Sequence, residues 1–307
     1  MNRGHAMEYL FSPVKVGSLT LKNRIVMPAM HLGYCNDRSE VTDRLVAFYE
    51  ERARGGAALL FVGGCTIDPC ASSMKEMIGI SDDRFIPGLS KLVAAAHRHG
   101  ALMAAQLFHG GRYVRSGMIG RQPIAPSPIA SGITREVPRE MSPADIQDTI
   151  ANCADAAARA KRAGFDAVEV LAGTGYLISE FFSPLTNQRT DEYGGSPDRR
   201  MRFGIEVAWA IREAPWCSGG PLATRQDVPD WFRDCALCFR PQGAPETVLP
   251  VLRNLHRAFG MPAVVHWYQW HQIPFDDNYP EYFPAEPGFA EAVAEVVDSV
   301  IARFGSL

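Results

Sequence analysis

One pattern recurs along this chain and leaves few folds open to it: an amphipathic helix, a glycine, then a short run that is apolar on both sides. Arg54-Gly55-Gly56 precedes Ala57–Val62, His99-Gly100 precedes Ala101–Leu107, Ala163-Gly164 precedes Phe165–Leu171, and Phe259-Gly260 precedes Pro262–Trp267. Glycine ends a helix in the left-handed conformation that other residues adopt only at a cost. A run without polar alternation suits a parallel strand covered on both faces. Helices alternating with buried strands imply β/α units around a parallel sheet.

The helix starts are readable. Ser142 is placed to cap a helix with Pro143 at its first position and Asp145 near the positive end of the dipole. Ile146, Ile150, Cys153 and Ala157 then recur at helical spacing. Thr42 caps the helix carrying Leu45, Val46, Tyr49 and Ala53, and Asp83 the one carrying Ile86, Leu89, Val93 and Ala96. Strands are expected near 25–29, 57–62, 101–107, 165–171, 221–225, 235–239 and 262–267, one or two short of the eight of a closed barrel. Missing strands would leave unpaired edges and favour a homo-oligomer. The Gly-, Pro- and Ser-rich excursion from Arg112 to Met141 follows a strand, so it would overhang the C-terminal face, where barrel enzymes build their sites.

Composition removes several function classes. The net charge of -3 offers no footprint for nucleic acid or an anionic membrane surface. No apolar run approaches the roughly 20 residues of a membrane span, and Met1–Tyr9 lacks a signal-peptide core. The 7 scattered cysteines then suit reduced thiols in the cytoplasm. Cys235 and Cys238 form a lone C-x-x-C, more in keeping with strand residues than with a redox or zinc site, and no metal site is expected.

Three blocks carry a resemblance. The first runs through Leu10-Phe11-Ser12-Pro13 and Leu21-Lys22-Asn23-Arg24-Ile25-Val26-Met27-Pro28-Ala29-Met30. The second is Gln106-Leu107-Phe108-His109-Gly110-Gly111-Arg112. The third extends from Gly164-Phe165-Asp166-Ala167-Val168-Glu169-Val170 through Gly175-Tyr176-Leu177-Ile178 and Asn187-Gln188-Arg189-Thr190-Asp191-Glu192-Tyr193-Gly194-Gly195-Ser196 to Arg199-Arg200-Met201-Arg202-Phe203. In this order they resemble the flavin-binding half of the Old Yellow Enzyme family, an α/β fold of the TIM-type (β/α) barrel. The likeness covers about residues 8–214.

The resemblance implies a capping hairpin before the first strand, and FMN as cofactor with NAD(P)H as electron donor. It implies that Pro28, Ala29, Met30 and Gly64 touch the flavin ring and that the donor–acceptor carboxamide of Gln106 pairs with its pyrimidine edge. Arg225, in a remnant of the fifth strand, would lie near the flavin. The family's His/His or His/Asn pair falls on Leu171 and Thr174 here and is absent. The pattern is closer to the 2,4-dienoyl-CoA reductase branch, in which Tyr176 would be the catalytic proton donor; the plainer alternative is a packed aromatic. The implied reaction reduces an activated C=C bond in a small unsaturated carbonyl or acyl thioester. Met30, Gln106 and Tyr176 are expected to converge at one mouth of the barrel.

The likeness stops near Ala214. Residues 215–230, with Pro215-Trp216-Cys217-Ser218-Gly219-Gly220-Pro221, read as a junction, either a long loop or the seam of two unlike halves. Late Gly-rich phosphate loops are not recognisable. Residues 231–307 would supply the remaining β/α units of the same barrel, and Trp231–Asp234, His266–Asp276 and Tyr279–Pro284 are similar to a glycosidase-like barrel domain. The barrel is therefore expected to be incomplete or hybrid. Two further functions stay open: a catalytically impaired, truncated or chimeric barrel, and a glycan-active protein working through the aromatics and carboxylates of 266–281.

Overall fold

The computed structural model describes residues 10–16 and 19–213, together with the backbone of two short strands at 238–239 and 264–265. It opens with the expected hairpin, β1 (Val14–Val16) antiparallel to β2 (Leu19–Leu21). Then β3 (Val26–Met27), α1 (Asp43–Arg54), β4 (Leu59–Thr66), β5 (Ile78–Gly79), α2 (Ile86–His97) and β6 (Leu102–Phe108) alternate along the chain. The excursion after β6 holds a short helix α3 (Ser116–Ile119) and two paired strands, β7 (Ile124–Ala125) and β8 (Arg139–Glu140). It is followed by α4 (Pro143–Ala163), β9 (Ala167–Val170), α5 (Leu177–Phe182) and α6 (Pro197–Glu213).

The sheet order is β3-β4-β6-β9, all parallel, with β5 on the end of β4. Helix α1 packs on α2, α2 on α4 and α4 on α6, so successive helices cover the outside of successive strands. Sequential neighbours in both layers make an arc of a (β/α) barrel. Among the described residues the arc does not close. Two further strands, β10 (Cys238–Phe239) and β11 (Val264–Val265), pair in parallel with each other, within the stretches expected at 235–239 and 262–267. Residues 215–230, including the strand expected at 221–225, lie outside the described residues, as do Gly260 and the side chains of 231–307.

Local chemistry explains most boundaries. Ser142 accepts the N–H of Asp145 while Asp145 accepts that of Ser142, a reciprocal box with Pro143 behind it. Thr42 accepts the N–H of Leu45 at 3.3 Å. At α2 the expectation needs correcting. Asp82, not Asp83, provides the cap, accepting the N–H of Arg84 at 2.8 Å at the start of a 3-10 turn that leads into the helix. Asp83 instead pairs with Arg159 and Arg162 on α4, a long-range contact that adjacent capping residues do not reveal. Gly56, Gly100 and Gly164 take positive φ after their helices; Gly55 stays right-handed.

The core lies between strands and helices. Leu45, Tyr49 and Ala53 from α1, Leu89, Val93 and Ala96 from α2, and Ile146, Cys153 and Ala157 from α4 are buried against Leu60, Val62, Met103 and Ala105. A second cluster joins Leu21 of the hairpin to Leu59, Ala58 and Ala104, with Val14 and Val16 packed against it. The hairpin thus covers the end of the arc where the strands begin and leaves the opposite end to the loops. Cys35, Cys65, Cys70 and Cys153 are free thiols. Among the described residues no helix is long and apolar enough to cross a membrane.

Candidate active site

A cavity of about 190 Å³ opens where the parallel strands end. Its wall begins with Pro28, Ala29 and His31 after β3, continues with Phe61, Gly63 and Gly64 on β4, and passes to Gln106 and Phe108 on β6. Glu169 and Leu171 follow at β9, then Gly173, Thr174 and Tyr176 on the turn into α5; Met74 and Met77 enter from the β4–β5 connection. On β6 and at the end of β9 the lining residues alternate: Gln106 with Phe108, Glu169 with Leu171. The two-residue period of a strand sends these side chains to one face.

The expected convergence of Met30 with Gln106 and Tyr176 needs correcting. Pro28, Ala29, Gly64, Gln106 and Tyr176 meet at this cavity, but the side chain of Met30 does not line it and is 43% exposed. Ala29 and His31 take the inward places on either side of it. Arg225 lies outside the described residues.

The glycine pair shapes the wall. A Cβ on Gly63 would lie 2.6 Å from Cβ of Gln106, and one on Gly64 would lie 2.7 Å from Cβ of Phe108. The register between β4 and β6 shifts between Val62 and Cys65, so the strand is irregular here. Bare backbone lets the β6 side chains in and presents peptide groups to the cavity.

Gln106 Nε2 donates to Glu169 Oε2 at 3.1 Å. Tyr176 stands edge-on to two rings, Phe108 at 4.6 Å and 70° and Tyr113 at 5.7 Å and 78°. Edge-to-face packing fixes the orientation of the ring. Gly175, with φ +77°, makes room for Tyr113, whose hydroxyl would be 2.4 Å from a Cβ there. Burial lowers the pKa of His31, opposed by the nearby Glu76 carboxylate.

Two residues of the quoted motifs do other work. His109 is buried away from the cavity, in a small gap lined by Leu107, Cys153, Leu177 and Val207. Its Nδ1 accepts the N–H of Gly111 at 3.1 Å, and burial pulls its pKa down to about 4. Arg189 is buried and donates to the carbonyls of Pro126 at 3.0 Å and Met141 at 2.7 Å. With Asn187 donating to the carbonyls of Phe181 and Tyr193, it ties the loop after α5 to the excursion after β6.

The sequence reading missed His31, Gly63, Glu169, and the methionines Met74 and Met77. Glu169 had a signal, a carboxylate inside the otherwise apolar run Ala167–Val170. His31 had no such signal, since it lies beyond Met27, where β3 ends. The methionines had none, because a loop carries no period.

The family model described as the NADH:flavin oxidoreductase / NADH oxidase family matches residues 9–225, and a domain of unknown function (DUF6259) matches residues 199–303. The chain is 46% identical over 270 residues, 87% of its length, to a metal reductase of Desulforamulus reducens, of which this covers 39%. It is 44% identical over 227 residues, 73% of its length, to an NADPH dehydrogenase of Geobacillus thermodenitrificans, covering 65% of that protein. An NADH oxidase of Thermoanaerobacter brockii is 41% identical over 67% of the chain and 32% of its own length. The chain therefore spans between about a third and two thirds of these relatives. Among solved structures, a 2-naphthoyl-CoA reductase in complex with 2-naphthoyl-CoA superposes with a TM-score of 0.73 at 29% identity, over 85% of this chain and 41% of that one. Old Yellow Enzyme from Pichia sp. AKU4542 superposes at 0.70 and 26%, over 81% and 67%.

Proposed function

Since the chain belongs to the NADH:flavin oxidoreductase / NADH oxidase family, we propose that it is an FMN-dependent NAD(P)H oxidoreductase that reduces activated C=C bonds, with an unsaturated carbonyl or acyl thioester as substrate. The observation that carries this reading is the meeting of Ala29, Gly64, Gln106 and Tyr176 around one cavity at the C-terminal end of the strands. The residues present fit a flat heterocycle with a hydrogen-bonding edge. Gly63 and Gly64 offer a wall without side chains, and Gln106 beside Glu169 offers donor and acceptor atoms.

Bound FMN would supply the hydride chemistry, accepting from NAD(P)H and giving to an electron-poor alkene carbon. Gln106 would hold the pyrimidine edge, and Pro28, Ala29 and Gly64 would pack against the ring. Tyr176, on the cavity wall, would supply the proton that completes the reduction from its phenolic oxygen. Leu171 and Thr174 occupy the wall without an imidazole, so the substrate carbonyl is not gripped there by a histidine pair. A thioester substrate draws support from the structural likeness to a reductase that holds an aryl-CoA.

The test is an FMN titration of the full chain. We expect a yellow protein with bound-flavin absorption that bleaches with NADH or NADPH in the absence of oxygen. Tyr176→Phe should keep the flavin and its bleaching rate while slowing alkene reduction about 10²- to 10⁴-fold, the range of one general acid. A colourless protein indifferent to FMN overturns the proposal. That outcome would favour the second reading, an impaired or chimeric barrel, which draws on the family match ending at 225 and the different model matching 199–303. The glycan-active reading rests on 266–281, outside the described residues.

A further inference from the structure

Building on the flavin reading above, we propose that Glu169 is a positioning residue that sets which way the Gln106 carboxamide faces and so which ligand edge the cavity accepts. Gln106 and Glu169 sit opposite each other in the register of the parallel pair β6 and β9. Residues paired in this way project to the same face, and here both line the cavity. Their side chains meet through Nε2 of Gln106 and Oε2 of Glu169 at 3.1 Å.

The pairing has a sense. An ionised carboxylate only accepts hydrogen bonds, so it admits the nitrogen end of a carboxamide and turns the oxygen end elsewhere. The oxygen rests on the glycine wall: a Cβ on Gly63 would be 3.0 Å from Oε1 of Gln106. Gln106 is thereby left with an oriented acceptor and one further N–H. A glutamine at 169 both donates and accepts, so the carboxamide would be free to flip and would present either end to a ligand. A carboxylate in the wall of a partly enclosed site disfavours added negative charge on a ligand more than a carboxamide in the same place would.

The experiment uses the full chain reconstituted with FMN. The FMN dissociation constant is measured by fluorescence quenching and the midpoint potential by dye equilibration. We compare wild type, Glu169→Gln, Glu169→Asp, Gln106→Ala and the double variant Gln106→Ala/Glu169→Gln. Glu169→Gln should weaken FMN binding about tenfold by releasing the carboxamide. It should also favour the reduced flavin about tenfold, a positive shift of roughly 30 mV for a two-electron couple. Glu169→Asp keeps the charge but shortens the reach, so binding weakens while the potential stays near wild type; it carries the test if the Gln variant does not fold. In the Gln106→Ala background, Glu169→Gln should cost no further affinity, because its action on binding passes through Gln106.

Wild type that binds FMN while Glu169→Gln matches it in affinity and potential overturns this inference alone. So do affinity losses that add fully in the double variant, since a merely structural role would produce them. Wild type that takes up no FMN overturns the functional reading and this inference with it.

Discussion

Glu180 sits inside the protein, 1% exposed, with Oε1 accepting the backbone N–H of Arg112 at 3.0 Å. Among the described residues Oε2 has no hydrogen-bond partner; it is buried directly over Gly111, where a Cβ would come within 2.4 Å of it. Burial pushes the Glu180 pKa up to about 8, against the opposing pull of Arg112. An unfolded glutamate titrates at about 4.3. The folded protein therefore keeps a proton that the unfolded chain has already lost, and stability declines as pH rises toward 8. His109 acts with the other sign: its pKa of about 4 lies below the unfolded value, so its contribution is lost as pH falls. Between about 4.5 and 6.5 the two slopes oppose each other; above that range Glu180 acts alone. The unfolding free energy of the wild type from urea titrations should fall between pH 6.5 and 8, by at most about 1.4 kcal/mol per pH unit. Glu180→Gln, which keeps the acceptor for Arg112, should flatten that limb and leave the acid limb intact. An equal decline in the variant would show that other groups cause it.

At the scale of elements, the sequence blocks separate into those that form helices and those that lock loops. The reciprocal cap at Ser142 and Asp145 is local and was readable from four residues. Arg189 is the opposite case. It belongs to the motif that carried the family resemblance, yet its guanidinium serves two carbonyls, at Pro126 and Met141, and pairs with Asp191. Lysine offers a single ammonium and cannot span that set. Arg189→Lys should cost about 2–4 kcal/mol of stability by leaving buried carbonyls unpaired. Proteolysis should then cut within 112–141 first, because Arg189 anchors that excursion. Chemical denaturation with limited trypsinolysis checks both, and a variant as stable as wild type would remove Arg189 from this role. The position of Tyr176 depends on the same anchoring, since the motif loop follows directly on the helix it begins.

For the whole molecule, an arc of four main parallel strands with a hairpin over one end makes a scaffold whose open end holds the cavity. A ligand bound there bridges residues from β3, β4, β6 and β9, so it should stabilise the folded state as one unit. At FMN concentrations 100-fold above its dissociation constant the gain should be about 2.7 kcal/mol. A thermal shift that grows with FMN concentration and is smaller in Glu169→Gln at the same FMN concentration would agree; no shift at saturating FMN would place binding elsewhere.

What the sequence determined by itself was largely what near neighbours govern: helix starts at Thr42 and Ser142, helix ends at Gly100 and Gly164, the strands near 57–62, 101–107 and 165–171, and through motif order the barrel family, in which Gln106 and Tyr176 line the cavity. Capping and strand alternation act within a few residues, so their signals survive in a linear reading. The tertiary structure alone decided that Ala29 and His31 face the cavity while Met30 does not, that Asp83 answers α4 rather than α2, that Glu169 meets Gln106, and that Glu180 is sealed under Gly111. Each of these depends on where two distant segments come to rest, on the register of β6 against β9 or the packing of α5 under the loop after β6. Such distances are set by the packing of the whole core, and no local pattern encodes them.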